Sequence, residues 1–246
     1  MGKFYRIRGI PILLYHRVGP LDGSPMDRYT VSPERFYEQM HSLIEAGFST
    51  VPIETIVTCD PAQDLGRVVS MTFDDGFRSN IDYAWPVLEK MGLSCTTFIV
   101  SNQLGGTNAW DDDGMPRYPL LTRGDILAAN NQLMTFHSHT ANHFALPDLD
   151  AKAASRELTQ SRAVLESLTG KPVDVLAYPF GAWNGLARKA AIKAGYKAAC
   201  TCRRGLNRAS TDRHLLRRVE ILDSDRGLQF RFKLSTGRHI VYLRRS

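Results

Sequence analysis

Short apolar, β-branched runs alternate with helix-length amphipathic stretches along almost the whole chain, and this alternation restricts the fold more than any other feature. Ile10 to His16, Val68 to Phe73, Leu93 to Val100, Gln132 to Phe136, Val173 to Tyr178, Tyr196 to Thr201 and Leu215 to Ile221 have the length and residue types of buried strands. Helix patterns lie between them. Ser32-Pro33 supplies an N-cap and first position for a helix whose apolar face is Phe36, Met40, Leu43 and Ile44, and Gly47 closes it. Ile81 to Met91 is helical with Pro86 inside it, so it kinks there or starts late. Thr122 caps a short helix to Ala129. Asp150 caps a longer one, Ala151 to Leu168, with Ala154, Leu158, Leu165 and Leu168 on one face and Gly170 at its end. Gly185 to Ala194 is a further helix. Strands alternating with helices at this spacing pair in parallel through helical crossovers. Because polar, reactive residues repeatedly follow the strands, a barrel with its site at the C-terminal strand ends is expected over a doubly wound open sheet. No repeat or long linker divides the chain, so a single domain is expected over 1–246, with a core from 10 to 222 and a basic extension over 223–246.

At 246 residues and 43% hydrophobic, the chain can bury a full core. No apolar run approaches the roughly 18 residues of a membrane span. The basic start, Met1 to Arg8, is followed by an apolar stretch from Ile10 to Tyr15 that is too short for a signal sequence and has no cleavage site after it, so a cytoplasmic protein is expected. Cys59, Cys95, Cys200 and Cys202 form no CxxC pair and read as reduced structural thiols. The formal charge of +6 is uneven: from Tyr196 to Ser246 there are 13 Lys and Arg against 4 Asp and Glu. Such an end suits an anionic glycan, a lipid diphosphate headgroup, nucleic acid or peripheral contact with a membrane. The arginines are dispersed and fit a solvated surface equally well, so no nucleic-acid partner is expected from them.

Two stretches carry chemistry. Thr72-Phe73-Asp74-Asp75-Gly76 puts adjacent carboxylates at the end of a strand, and Ser138-His139-Thr140-Ala141-Asn142-His143 puts two imidazoles four residues apart just after another. One carboxylate with two histidines half-fills the coordination sphere of a divalent metal and leaves positions for water and substrate. The spare carboxylate beside it can act as a base. Each stretch alone has a plainer interpretation, since Asp-Gly is common in turns and a histidine pair can cap a helix. Together they outline a metal-dependent hydrolase.

With Tyr178-Pro179-Phe180-Gly181 following in order, these motifs resemble the polysaccharide deacetylase family, the NodB-homology domain of carbohydrate esterase family 4, from about Ile10 to Ile221. The resemblance implies an α/β fold, a distorted (β/α) barrel of about seven parallel strands, and removal of N-acetyl or O-acetyl groups from sugars. It implies Asp74 as catalytic base and Asp75, His139 and His143 as ligands of one divalent ion. Zinc is the first expectation, with Co2+, Ni2+ or Mn2+ accepting similar ligands. The backbone N–H of Phe180 would help to stabilise the oxyanion. Tyr178, Pro179, Phe180, Gly181, Trp183 and Arg218 are expected at the substrate, with Trp183 or Trp110 stacked on a sugar face or else packed in the core.

The chain departs from the family pattern at three places. Many relatives carry a base-orienting arginine where this chain has Ala177, so Arg217 or Arg218 would have to supply a guanidinium from elsewhere or else be an ordinary strand arginine. His137 stands where relatives often have Gly, and is expected to be a core histidine rather than a group that supports the metal ligands from behind. The family's general acid is often the His of a late Leu-x-His, but His214 and His239, which alone follow residue 143, do not fit that pattern. Leu14-Tyr15-His16 does. Some branches are circularly permuted so that the late strand comes first, and His16 would then protonate the leaving amine. The expectation is therefore a metal-dependent deacetylase of an N-acetylhexosamine-containing glycan or its lipid-linked or oligosaccharide precursor. A deformylase or O-acetyl esterase is the nearest alternative. A non-catalytic glycan-binding domain retaining the fold is the alternative of another class; Ala177 favours it, and the intact Asp74, Asp75, His139 and His143 argue against it.

Overall fold

Seven parallel strands curl into a barrel with helices packed on the outside, as the alternation predicts. The computed structural model describes residues 9–59, 65–111, 114–131 and 133–238. The chain begins with β1 (Ile12–Tyr15), a short parallel pair β2 (Arg17–Val18) and β3 (Thr30–Val31), α1 (Pro33–Glu45), β4 (Ser49–Thr50) and α2 (Ile53–Thr58). It continues through β5 (Val68–Phe73), α3 (Trp85–Met91), β6 (Cys95–Ile99), α4 (Arg123–Ala129), β7 (Met134–Ser138) and α5 (Ala151–Thr169). Last come β8 (Val175–Ala177), α6 (Gly185–Lys193), β9 (Ala198–Cys200), β10 (Val219–Glu220) and α7 (Gly227–Thr236). No helix among the described residues is long and apolar enough to cross a membrane.

The sheet runs β10-β1-β5-β6-β7-β8-β9, with β4 beside β5. The first strand thus sits between the last and the fifth, in the register Leu13 to Val219 and Tyr15 to Phe73. Among the described residues no ladder joins β9 to β10. One parallel bridge, Cys200 to Leu216, closes that seam, with bonds from Thr201 N to Leu216 O and from Leu216 N to Ala199 O.

Strand periodicity sorts the side chains into two layers. Ile12, Phe98, Val175, Ala177, Ala198 and Cys200 point into the barrel and form one cluster with Ile53 and Val57 of α2. Their alternates, including Leu13, Tyr15, Val69, Met71, Phe73, Leu176 and Ala199, form the larger cluster under the helices. Each buried Val, Leu, Ile, Phe or Met among them contributes about 1.5–3 kcal/mol. The inward row of β1 continues to His16, that of β5 to Asp74, that of β7 to His139 and that of β10 to Glu220. The fold therefore delivers these polar groups to the C-terminal mouth.

Some elements differ from the sequence expectation for local reasons. The strand expected over Gln132 to Phe136 runs from Met134 to Ser138, because Asn131 first makes a turn, its Oδ1 accepting from Leu133 N and Met134 N; position 132 itself lies outside the described residues. Ile44 is 43% exposed, and Gln39 takes its place on the buried face of α1. Gln39 is buried because it bridges three segments: Tyr15 Oη donates to its Oε1, and its Nε2 donates to Leu222 O and Asp225 O. Ser32 precedes α1 without capping it, since its hydroxyl donates to Asp223 instead. Pro86 lies in the first turn of α3, after a wide π-type turn over Asn80–Ala84, so the helix starts late as expected. Beyond Ile221 the chain builds α7, which buries Phe230, Lys233 and Leu234 and packs against α1. The basic end after Arg238 lies outside the described residues.

Candidate active site

The inward-facing groups meet in a cavity of about 300 Å3 at the C-terminal mouth of the barrel. His16, Asp74, Asp75, His139, His143 and Glu220 line it with Trp110, Phe180, Tyr29, Cys202 and Arg204. Asp74 is held as an extension of β5, its N–H donating to Tyr15 O at 2.9 Å, and His139 extends β7 in the same way through Ile99 O at 2.8 Å. Asp74 and His139 are therefore mounted on the ladder itself, and Asp75 and His143 stand on the turns that follow.

Asp75, His139 and His143 offer three donor atoms within 4.8 Å of one another. Asp75 Oδ1 is 3.4 Å from His139 Nε2 and 3.3 Å from His143 Nε2. His139 Nδ1 donates to Ala177 O at 2.8 Å, which turns Nε2 toward the Asp75 carboxylate. One carboxylate and two imidazoles, buried and convergent, fit a divalent ion of the zinc type with positions to spare. Burial works to raise the pKa of Asp75, but the bonds from His139 and His143 outweigh it and hold the carboxyl well below its usual value. For His139 the order reverses: burial opposes the charged form, while Asp74 and Asp75 together raise the pKa above the ordinary value.

Backbone strain is concentrated here. Among the described residues, the non-glycine positions with positive φ are Asp75 (71°), Thr140 (68°), His143 (65°) and Phe180 (58°), all of them in the three motifs. The His139 to His143 turn is held by Glu157 of α5, whose Oε2 accepts from Ala141 N at 3.1 Å and Asn142 N at 2.8 Å. Thr140 N donates to Ser138 Oγ, and His143 N to Thr140 Oγ1. Gly181 is required for a different reason: a Cβ there would lie 2.6 Å from Cys202 N.

Asp74 is gripped from behind by Arg218. Nη1 donates to Oδ1 at 2.6 Å and Nη2 to Oδ2 at 2.7 Å, and both side chains are buried. Nε of the same guanidinium donates to Thr201 O, and its central carbon lies 5.7 Å from the centre of the Phe98 ring. Burial pushes the Asp74 pKa up, but Arg218, with His139 and His16 nearby, outweighs it and keeps the carboxyl below its usual value. A guanidinium from the residue just before β10 thus reaches Asp74, while position 177 carries only a methyl group.

The other expected residues divide between the wall and the interior. Phe180 stands at the mouth, 63% exposed, with its ring edge-on to His143, and Trp110 stacks on His143 at 4.5 Å. His16 lines the cavity beside the Tyr29 ring. Tyr178 is fully buried under the helices, its hydroxyl donating to His214 O, and Pro179 is buried beside it. Trp183 packs against the outer core beneath the Arg203 guanidinium, so Trp110 is the tryptophan that faces the cavity. Arg218 lies behind Asp74 rather than on the cavity wall. His137 is buried within the barrel, with Nε2 3.3 Å from Glu54 Oε2 and no part in the Asp75 cluster. Glu157 is the group that sequence reasoning missed. Its signal was a charged residue on the same helical face as Ala154, Leu158, Ser161 and Leu165.

A family model described as polysaccharide deacetylase matches residues 62–199, more than half of the chain. The Bacillus subtilis protein YxkH, named for the same family, is 26% identical over 223 residues, covering 90% of this chain and 74% of its own length. The poly-beta-1,6-N-acetyl-D-glucosamine N-deacetylase of Staphylococcus epidermidis is 27% identical over 228 residues, covering 84% of this chain and 77% of its own. The Streptococcus pyogenes deacetylase PplD, solved with acetate, shares the fold with a TM-score of 0.81 at 22% identity, over 92% of this chain and 98% of that one.

Proposed function

The chain belongs to the polysaccharide deacetylase family, and from that membership we propose that it removes N-acetyl groups from an N-acetylhexosamine-containing glycan, or from its lipid-linked or oligosaccharide precursor, with one divalent ion at Asp75, His139 and His143. The observation that carries this reading is the pairing of that ligand cluster with Asp74, a carboxylate kept ionised by Arg218 beside the cluster but turned to a different partner. The name of the Staphylococcus epidermidis relative supports an N-acetylglucosamine polymer as the substrate class.

Zinc suits the mixed imidazole and carboxylate set, and when bound it supplies Lewis-acid activation of water and of the acetyl carbonyl. The remaining work falls to the chain. Asp74 takes the proton from the attacking water, and Arg218 keeps the carboxylate oriented and charged while it does so. The Phe180 N–H donates to the oxygen that becomes negative as the carbonyl carbon turns tetrahedral. His16, also on the cavity wall, gives a proton to the sugar nitrogen as the C–N bond breaks, since an amine cannot leave as an anion near neutral pH. Trp110 and Phe180 flank His143 and offer apolar faces to the sugar ring.

The test is acetate release from a panel of N- and O-acetylated sugars by chelated protein to which Zn2+, Co2+, Ni2+ or Mn2+ is returned. Release from N-acetylated oligomers only after metal return is the expected result. Release from O-acetyl sugars alone would replace this reading with an esterase, and full activity after chelation would remove the metal from it.

A further inference from the structure

A second cavity, of about 530 Å3, lies along the seam between β9 and β10. The loop joining these strands builds most of it, and Thr236 and Arg238 at the end of α7 close one side. Five arginines line it: Arg203, Arg204, Arg208, Arg217 and Arg238. Asp212 is the one carboxylate among the described lining residues, and Arg188, at 2.8 Å, already neutralises it from outside the cavity. Arg204 lies 3.7 Å from Glu220, whereas among the described residues no carboxylate is in ion-pair range of Arg203, Arg217 or Arg238. Packing holds two of these side chains instead. The Arg203 guanidinium sits 5.0 Å over the Trp183 ring, and the Arg217 stem fills the space where a Cβ on Gly205 would go, 2.9 Å from its Cδ.

Arg204 lines this cavity and the catalytic one alike. A sugar seated over Asp74 and Asp75 would therefore pass its neighbouring substituent across Arg204 into the arginine-lined space. We propose that this space is a subsite for a phosphate-bearing part of the substrate, a phosphodiester or diphosphate joined to the N-acetylated sugar; the proposal rests on the deacetylase reading above. A single carboxylate would leave most of the positive charge unmatched. Phosphate oxygens accept from planar guanidinium forks in pairs, which a phosphodiester and a diphosphate share, and a diphosphate also brings more than one charge.

The experiment compares deacetylation of a neutral N-acetylglucosamine oligomer with that of the same oligomer carrying a 1-diphosphate. The second substrate is given both free in solution and linked to a polyprenyl chain in phosphatidylcholine vesicles. Wild-type protein should show a KM about tenfold or more lower for the diphosphate form, an advantage that shrinks as salt is raised. The double variant Arg217→Ala, Arg238→Ala should lose that advantage, and the Lys pair at the same positions should recover part of it; Arg238→Ala alone serves if the double variant melts early. An advantage in both physical forms assigns the subsite to the glycan phosphate, and one limited to vesicles but lost in the double variant assigns it to the lipid-linked form. Equal KM values in the wild type, or an advantage that survives both substitutions, would overturn the proposal. If neither oligomer is deacetylated, the activity reading fails instead, and titration with inorganic phosphate still decides the subsite. Binding that disappears in the double variant supports it, and binding indifferent to the substitutions, or none, overturns it.

Discussion

Arg218 and Asp74 stand 144 positions apart, yet two parallel hydrogen bonds of 2.6 and 2.7 Å join them in the interior. Removing the guanidinium strands a buried carboxylate, so Arg218→Ala should cost about 3–5 kcal/mol of stability. It should also leave burial as the main influence on Asp74, raising a pKa that is now held low. Asp74 would then be protonated at a pH where it is now ionised, and if it is the base the acid limb of the kcat/KM profile should move to higher pH. Arg218→Lys keeps the charge but not the fork, and should fold better while still lowering kcat. Melting curves and pH–rate profiles of the two variants check this; an acid limb that stays in place would show that Arg218 does not set the charge of Asp74.

Asp74 and Asp75 should separate cleanly by substitution. Asp75→Ala should lose stoichiometric zinc and activity together, as read by metal analysis after dialysis. Asp74→Asn should keep the metal and lower kcat by about 10²-fold or more. Loss of metal from the Asp74→Asn variant would mean that the two roles are reversed.

His16 is assigned to the leaving group, so its loss should be felt most where the leaving group is poor. His16→Ala should retain metal and melting temperature, lose most deacetylation of N-acetyl sugars, and keep far more activity on an aryl acetate. Equal losses on amide and ester would leave His16 a positioning role only.

Glu157 touches neither the cavity nor the three ligand atoms, yet it holds the turn that presents His143. Glu157→Ala leaves the N–H groups of Ala141 and Asn142 without their acceptor, at about 1–3 kcal/mol each. Glu157→Gln keeps an acceptor oxygen and should be milder. Zinc titration should show weaker binding in the Ala variant, because His143 must hold a left-handed backbone to aim Nε2 inward. Unchanged affinity would show that the turn keeps its shape without Glu157.

The strands and the two motifs were legible because each rests on local pattern: a short apolar run in Val68 to Phe73, or carboxylates and imidazoles at fixed offsets. The partner of Asp74 was only half legible. Nothing local separates Arg217 from Arg218, and what decides is the inward row of β10, which cannot be phased without the sheet. Glu157 was legible in principle as a charge on an apolar helical face. Gln39 was not, because its value lies in three partners from distant segments. α7 escaped because its buried face is interrupted by Lys233, a residue that reads as solvent-facing until Asp225 is placed against it.

That lysine has a consequence for timing. Lys233 Nζ bonds the Asp225 carboxylate and, at 2.9 Å, the Glu220 carbonyl at the end of β10. Gln39 ties Leu222 and Asp225 to Tyr15, the neighbour of His16. A chain emerging from the ribosome presents Asp75, His139 and His143 long before it presents Arg218, Asp225 or Lys233. Until those residues are present, Asp74 lacks its guanidinium and the first strand its outer neighbour. The pairing of Asp74 with Arg218 therefore depends on the last part of the chain, where Lys233 of α7 holds the end of β10 beside β1.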